Sequence, residues 1–292
     1  MKIAYFPGCT LKAAAKNFED SALAAAQALG IEMVELPRWT CCGTVYSLSA
    51  DDLMHHIAPV RNLLRVVESG YDKVVTLCAM CYNTLKMSNL RFRQNPADRE
   101  KITQFMYEEK TQYEGQVEVY HLLELLRDKV GFDKIEGKIK KPLKGLKVSP
   151  YYGCTLLRPK EAAIDDPESP QLLAKLLTAM GAEVVDFPYN IECCGSYLTV
   201  NKVDFVAQRT KEIVGQAQSL GAELLMQSCP LCDFNLSGRQ KEAQKQFSDF
   251  KPMPTLYFTQ LLALSLGLNG RSLRMDLNYV NPEPLLAKKG LL

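Results

Sequence analysis

All ten cysteines of this 292-residue sequence fall into two sets of five that share one internal order. Each set has a single cysteine, then an adjacent pair followed by glycine, then a C-x-x-C motif. The first cysteine set is Cys9, Cys41, Cys42, Cys78 and Cys81, and the second cysteine set is Cys154, Cys193, Cys194, Cys229 and Cys232. Adjacent cysteines do not readily form a disulfide with each other, because their side chains diverge. The repeated CCG sequence therefore needs another explanation.

The N-terminal sequence bears on the redox state of these cysteines. The segment MKIAYFPGCT has neither the apolar length nor the cleavage site of a signal peptide. No run of residues approaches the roughly 18 apolar positions of a membrane-spanning helix. We therefore expect a cytoplasmic protein, in which thiols stay reduced and serve as metal ligands or redox groups.

Five thiols per set limit the kinds of site that each set can form. Zinc takes four ligands and would leave one cysteine idle in each set. A thioredoxin-like C-x-x-C would account for two cysteines of the five. Ordinary cubane iron–sulfur clusters use four cysteines, commonly from closely spaced runs. Five ligands favour an iron–sulfur centre of unusual ligation, with the doubled cysteine supplying the extra thiolate.

The sequence around the cysteines is duplicated as well. The segment ALGIEMVELP corresponds to AMGAEVVDFP, and SGYDKVVTLCAMC corresponds to LGAELLMQSCPLC, both at an offset of 151 residues. Such a repeat predicts two half-chains with one fold. We place the boundary in the lysine- and glycine-rich connector 131–147, which gives a first domain over 1–145 and a second over 146–292 with a C-terminal tail.

Each half alternates predicted strands and helices. KIAYF and LKVSPYY begin the halves as strands, EMVELP and EVVDFP follow as second strands, and KVVTL and ELLMQ lead into the C-x-x-C motifs. Helices are predicted between them at about 17–29, 53–67, 169–180 and 202–219, with Asp51 or Asp52 as a cap of the second. This alternation predicts an α/β fold with two tandem domains, each with a parallel sheet.

A parallel sheet would bring the distant cysteines of one set together. The single cysteine, the CCG pair and the C-x-x-C motif each follow the end of a different strand, and loops at the carboxyl ends of parallel strands gather at one edge. A C-x-x-C at a helix N-terminus adds backbone donors and a favourable dipole for thiolate charge. Gly43 and Gly195 would let the chain turn so that both neighbouring cysteines face one site.

The balance of charge excludes some functions. The chain has 35 basic and 33 acidic residues, a net charge of +2, which argues against a dedicated nucleic-acid surface. It also has no glycine-rich dinucleotide fingerprint. Any electrons that reach the cysteine sites must then come from another protein.

The motifs FPGCTLK, YYGCTLLRP, DDPESP, ECCG and CPLCDFNL, with the duplicated CCG signature, closely resemble the B subunit of heterodisulfide reductase. The resemblance covers nearly the whole chain. It implies two noncubane [4Fe-4S] clusters, one held by the five cysteines of each set. It also implies two domains related by a pseudo-twofold axis, with the clusters at their facing strand ends.

The resemblance further implies a reaction and partners. Members of this family reduce a disulfide placed between the two clusters, such as that of coenzymes M and B. Electrons come from two partners in the family's complexes, a ferredoxin-like C subunit, which has cubane clusters, and a flavin-bearing A subunit. A second hypothesis is an electron-transfer subunit that links a succinate, glycerol-phosphate or lactate dehydrogenase to quinone. The completeness of both cysteine sets favours the first hypothesis, disulfide reduction.

Several other residues are weaker candidates. His121 could donate a hydrogen bond or a proton near a cluster. Lys12, Arg158 and Lys160 follow the first cysteine of each half and could bind an acidic substrate. Trp39 and Tyr197 are expected to cover the clusters, and His55 and His56 are not expected to be ligands.

Overall fold

The fold was examined in a computed structural model, which describes residues 1–43 and 53–292. The first half contains strands β1 (Lys2–Phe6), β2 (Glu32–Glu35), β3 (Lys73–Thr76) and β4 (Glu118–His121). Its helices are α1 (Cys9–Ala13), α2 (Lys16–Ala28), α3 (Ile57–Glu68), α4 (Ala79–Gln94), α5 (Pro96–Phe105), α6 (Leu122–Leu125) and α7 (Phe132–Glu136). The proposed helix cap at Asp51 or Asp52 lies outside the described residues.

The second half repeats this order. Its strands are β5 (Lys147–Pro150), β6 (Glu183–Val184), β7 (Leu224–Gln227) and β8 (Thr255–Tyr257). Its helices are α8 (Leu172–Ala179), α9 (Val203–Ser219), α10 (Pro230–Asp233), α11 (Gln240–Gln246), α12 (Phe258–Ser265) and α13 (Glu283–Lys288). A π-helical turn, Phe234–Gly238, directly continues α10.

Within the described residues, the strands form two four-stranded sheets whose pairings are all parallel. The strand order is β2-β1-β3-β4 in the first half and β6-β5-β7-β8 in the second. All four residues of β7 are buried, as are three of the four in β3. Burial on both faces is typical of a parallel sheet covered by helices. The structure confirms the predicted tandem α/β fold.

The two halves pack together through reciprocal helix contacts. Helix α2 of the first half packs against α12 of the second, and α7 of the first half packs against α8 of the second. The Phe18 ring stacks on the Tyr257 ring with centroids 4.2 Å apart, and the Ser21 and Thr259 hydroxyl oxygens are 2.7 Å apart. Because each half covers part of the other, one apolar core extends through both.

Two features of the fold differ from the sequence interpretation. The short strands β4 and β8 were not expected, because each runs directly into a helix of apolar residues. Strand β6 has only two residues, although the aligned segment of the first half forms a four-residue strand.

Among the described helices, none combines the length and apolar character needed to cross a membrane.

Candidate metal centre

The first cysteine set assembles at the carboxyl edge of the first sheet. Cys9 begins α1 just after β1, and the CCG pair follows β2. Cys78 is the N-cap of α4, just after β3, and Cys81 lies in the first turn of that helix. The Cys9 and Cys41 sulfurs are 3.8 Å apart, and those of Cys42 and Cys81 are 3.4 Å apart. The expected convergence of distant cysteines is therefore present.

The second cysteine set repeats this pairing. The Cys154 and Cys193 sulfurs are 4.0 Å apart, and the Cys194 and Cys232 sulfurs are 3.6 Å apart. In both sets the single cysteine meets the first member of the CCG pair, while the second member meets the last cysteine of the C-x-x-C. The doubled cysteine thus reaches towards two different strand ends, which one cysteine could not do.

The two sets meet at the first cysteine of each C-x-x-C motif. Across the boundary between the halves, the Cys229 thiol raises the pKa of Cys78, and Cys232, together with Cys78, lowers the pKa of Cys229, so the Cys78 and Cys229 thiols lie within interaction range of each other. Both residues are buried. The two candidate centres therefore border one another; we call this point the junction.

Burial divides each set into a closed interior and an open rim. All ten cysteines are free thiols, and Cys42, Cys194 and both C-x-x-C motifs are buried. Cys9, Cys41 and Cys193 are exposed, and Cys154 is half-buried. A group held by either set would have one protected side and one side open to solvent or a partner.

Glycines allow the backbone to approach the sulfurs closely. Gly8 and Gly153 precede the single cysteines and have φ values of +72° and +66°. A Cβ atom on Gly8 would lie 2.8 Å from the Cys81 sulfur, and one on Gly153 would lie 3.4 Å from the Cys232 sulfur. Any side chain at Gly8 would therefore displace a thiol of the site.

The CCG glycines adopt the sharp turn expected of them. Gly43 and Gly195 have φ values of +75° and +79°, in the left-handed region that favours glycine. Their backbone N–H groups point back at the first cysteine of each pair, 3.5 Å from the Cys41 sulfur and 3.4 Å from the Cys193 sulfur. These donors favour thiolate charge on the exposed rim.

Hydrogen bonding makes the pKa differ from one thiol to another. Bonds from Cys154 and Cys194, with the backbone N–H groups of Gly195 and Ser196, lower the pKa of Cys193 to about 2. The hydrogen bond with Cys42, together with burial, raises the pKa of Cys41. The thiolate is the form that binds metals, so the second set already holds one ligand in its reactive form.

The geometry bears on the kind of metal centre that could be held. Among the described residues, no group of three or more histidine, cysteine, aspartate or glutamate side chains is arranged to hold a metal ion. The thiols instead form pairs spread over each strand-end edge. Each set offers five thiols, one more than a single tetrahedral zinc ion binds.

Polar residues that the sequence interpretation did not single out hold the CCG turns. Asn62 accepts from the Thr40 backbone N–H at 2.9 Å and donates to the Thr40 carbonyl at 3.0 Å, which fixes the chain just before Cys41. In the second half, Arg209 donates to the Cys193 carbonyl at 3.3 Å, and Asn235 donates to the Cys194 carbonyl at 3.0 Å. In the sequence, the only sign that these residues matter is a polar side chain on an otherwise apolar helix face.

A second polar group lies beneath the second C-x-x-C. The buried Asp233 carboxylate accepts hydrogen bonds from Gln227 at 2.5 Å, from Thr255 at 3.0 Å and from the Tyr257 hydroxyl. Burial raises the pKa of Asp233 to about 6. The first half has Tyr82 at the aligned position, so the two sites differ in their polar surroundings.

His121 lies beneath the first C-x-x-C. Its Nε2–H donates to the Leu77 carbonyl at 2.7 Å, directly before Cys78, while Nδ1 accepts from the Leu123 N–H at 3.2 Å. Burial lowers the pKa of His121 to about 4, so the ring is neutral at pH 7. A proton-donor role for His121 stays a prediction.

The basic candidates have protein partners. The Lys12 ammonium lies 2.7 Å from the buried Glu19 carboxylate and 2.5 Å from Glu35. Arg158 is exposed, donates to the Ile191 carbonyl at 3.3 Å and lies 3.6 Å from Glu168. Lys160 is exposed two residues further on. Binding of an acidic substrate by these residues stays a prediction.

The proposed covering residues occupy different positions. Trp39 packs edge-on against Phe6, with ring centroids 6.0 Å apart, and donates to Glu35 at 3.1 Å. Tyr197 reaches across the boundary between the halves, with its hydroxyl 3.9 Å from the Met80 sulfur, and its side chain is 42% exposed. Tyr197 therefore lies between the junction and solvent. The His56 Nδ1 atom lies 2.8 Å from the Ser88 hydroxyl oxygen, away from the cysteine pairs.

Three relatives match this chain over nearly all of its length. The 8-methylmenaquinol:fumarate reductase membrane anchor subunit from Wolinella succinogenes is 31% identical over 97% of this chain and 99% of its own length. The B subunit of the ferredoxin/F420H2-dependent CoB-CoM heterodisulfide reductase from Methanosarcina acetivorans is 27% identical over 98% of this chain and 96% of its own. A protein from Archaeoglobus profundus, named as similar to the heterodisulfide reductase B subunit, is 29% identical over 92% of each chain.

A solved structure and a family model agree with the duplicated fold. A hypothetical protein from Helicobacter pylori superposes with a TM-score of 0.78 at 15% identity, over 95% of this chain and 51% of its own, which shows the fold alone. The CCG cysteine-rich domain model matches residues 3–86 and 148–237, which together make up more than half of the sequence. The chain therefore belongs to the CCG cysteine-rich domain family, and its relatives over nearly the whole length include heterodisulfide reductase B subunits.

Proposed function

We propose that this chain is an iron–sulfur oxidoreductase subunit that reduces a disulfide. The observation that carries the proposal is the meeting of two complete five-cysteine sets at Cys78 and Cys229. The names of the heterodisulfide reductase relatives support the choice of substrate class. The domains proposed for the two sites are 1–145 and 146–292.

Each cysteine set would hold one noncubane [4Fe-4S] cluster. The first would be bound by Cys9, Cys41, Cys42, Cys78 and Cys81, and the second by Cys154, Cys193, Cys194, Cys229 and Cys232. The donor set fits such a group, because each set offers five free thiols from three strand ends and glycine where the backbone approaches a sulfur. When bound, the clusters would supply one-electron transfers, two of which reduce one disulfide.

The protein's own residues would bind the clusters, orient the backbone beside them and shield the junction from water. The buried C-x-x-C motifs keep water from the junction, and His121 fixes the carbonyl that precedes Cys78. The exposed rims at Cys9, Cys41 and Cys193 leave each set open on one side. A disulfide bound over the junction, beside Tyr197, would border both sets at once. One chain would thus bring two one-electron sites to one two-electron substrate.

The expected partners and compartment follow from the same proposal. A chain with clusters but no flavin or nicotinamide motif needs an electron donor. We therefore propose two partners, a ferredoxin-like protein resembling the C subunit of heterodisulfide reductase, and a flavoprotein resembling its A subunit. Ten reduced thiols fit a cytoplasmic location, where disulfides are rare.

A second candidate function is electron transfer between a dehydrogenase or reductase and a quinone. The observation that favours it is the 31% identity, over 97% of the chain, with the membrane anchor of an 8-methylmenaquinol:fumarate reductase. In this function the two clusters would form a relay, and the substrate would contain no sulfur.

One preparation can test both functions. Protein purified without oxygen should contain about eight iron atoms and eight acid-labile sulfides per chain. With reduced methyl viologen as donor, it should cleave 2-hydroxyethyl disulfide faster than it reduces a menaquinone analogue. Stoichiometric zinc without sulfide would reject the iron–sulfur proposal. Quinone reduction without disulfide cleavage would select the second candidate.

A further inference from the structure

Asn235 contacts a candidate ligand in the second cysteine set. Its side-chain amide, fully buried in the turn that continues α10, donates to the Cys194 carbonyl at 3.0 Å and lies 3.6 Å from the Cys194 sulfur. The Thr210 hydroxyl donates to the Asn235 backbone carbonyl at 3.1 Å and holds this turn against α9. The amide is therefore fixed in position by its surroundings.

This contact comes from a residue type that the first half does not repeat. At the offset of 151 residues that relates the C-x-x-C motifs, the first half has Thr84, which carries no amide. Both CCG pairs receive a backbone N–H at the sulfur of their first cysteine. In the second half, the Asn235 amide is a side-chain donor near the sulfur of the second cysteine.

A hydrogen bond to a ligand sulfur changes how easily an iron–sulfur centre accepts an electron. The donor stabilises negative charge on the thiolate, and the reduced centre carries more negative charge than the oxidised one. The bond therefore favours the reduced state and raises the reduction potential.

We propose that Asn235 is a positioning residue that holds Cys194 and raises the reduction potential of the second centre. The inference rests on the proposed function, because it requires an iron–sulfur centre on the second cysteine set. It predicts that removal of the amide lowers the potential of that centre.

The test is a redox titration of two Asn235 variants, followed by electron paramagnetic resonance. Asn235→Leu removes the amide but keeps the branched shape of the side chain, and Asn235→Thr introduces the residue of the first half. Each variant is made in a Cys41→Ser background, which leaves the second centre as the reporter. Both variants should keep their iron and shift the reduction equilibrium towards the oxidised state by up to about tenfold, or about 59 mV for one electron.

Asn89→Leu is the matched control. Asn89 is buried in α4 of the first half, and its amide donates to the Val117 carbonyl at 2.7 Å rather than to a sulfur. It should leave the potential of the second centre unchanged.

Three results would overturn the proposal. These are an unchanged potential in both Asn235 variants, an equal shift in Asn89→Leu, and loss of the second centre from both Asn235 variants. Absence of iron and sulfide from the unmodified protein would instead reject the proposed function before any potential is measured.

Discussion

At the scale of single residues, the first site depends on the absence of a side chain at position 8. We expect Gly8→Ala to disrupt the first centre, because the added Cβ would lie 2.8 Å from the Cys81 sulfur. The second centre should remain, so iron should fall from about eight to about four atoms per chain. Iron and sulfide analysis of the purified variant measures this directly.

Gly30→Ala is the control for the backbone effect of that substitution. Gly30 has a φ of +83°, and nothing lies within 4 Å of a Cβ built on it. Both alanines bear the strain of a left-handed backbone, about 1–2 kcal/mol, whereas only Gly8→Ala contacts a thiol. Equal iron loss in the two variants would show that backbone strain, and not the contact with Cys81, causes it.

The residues that the sequence revealed are those whose chemistry depends on side-chain type. Ten cysteines in two ordered sets can be found by inspection, because thiols bind metals wherever they stand. Gly8 and Asn235 could not be found in this way, because their importance depends on distances to Cys81 and Cys194 that arise only after folding.

At the scale of elements, the fourth strand of each sheet ends in a residue that caps the next helix. His121 and Tyr257 are the N-caps of α6 and α12, and Glu124 and Gln260 complete the capping boxes. The sequence interpretation did not predict these strands. Three or four residues that run directly into an apolar helix have too short a period-two pattern to recognise.

His121 should make the stability of the protein depend on pH. Its pKa is about 4 in the folded chain and about 6.5 when unfolded, so the unfolded state binds the proton first as the pH falls. The resulting stability is present above pH 6.5 and is lost as the pH falls towards 4. Between pH 7 and pH 5 the loss should be about 2 kcal/mol.

Urea unfolding of the unmodified protein and of His121→Gln at both pH values measures this contribution. Asp233 titrates in the same range, but it is present in both proteins and cancels in the comparison. The variant should lose about 2 kcal/mol less between pH 7 and pH 5. An identical pH dependence in the two proteins would mean that folding does not lower the pKa of His121.

At the scale of the whole molecule, duplication places two similar sites against each other. Each half packs a helix on its partner, through α2 with α12 and α7 with α8, and the strand-end edges meet at Cys78 and Cys229. The repeat in the sequence predicted two like folds. The junction itself depends on how the halves pack, which a comparison of aligned motifs does not contain.

The junction predicts that both cysteine sets are required for disulfide reduction. Cys41→Ser and Cys193→Ser change equivalent exposed rim cysteines, one in each set, and each should remove the centre of its own half alone. Because a disulfide needs two electrons and each centre supplies one, disulfide cleavage should fall to background in both variants, although one centre still undergoes reduction. Electron paramagnetic resonance verifies the remaining centre, and reduced methyl viologen drives the assay.

A relay to quinone would behave differently, since a terminal centre that survives could still pass single electrons and retain partial activity. Substantial disulfide turnover by either variant would therefore exclude a substrate site shared across the junction.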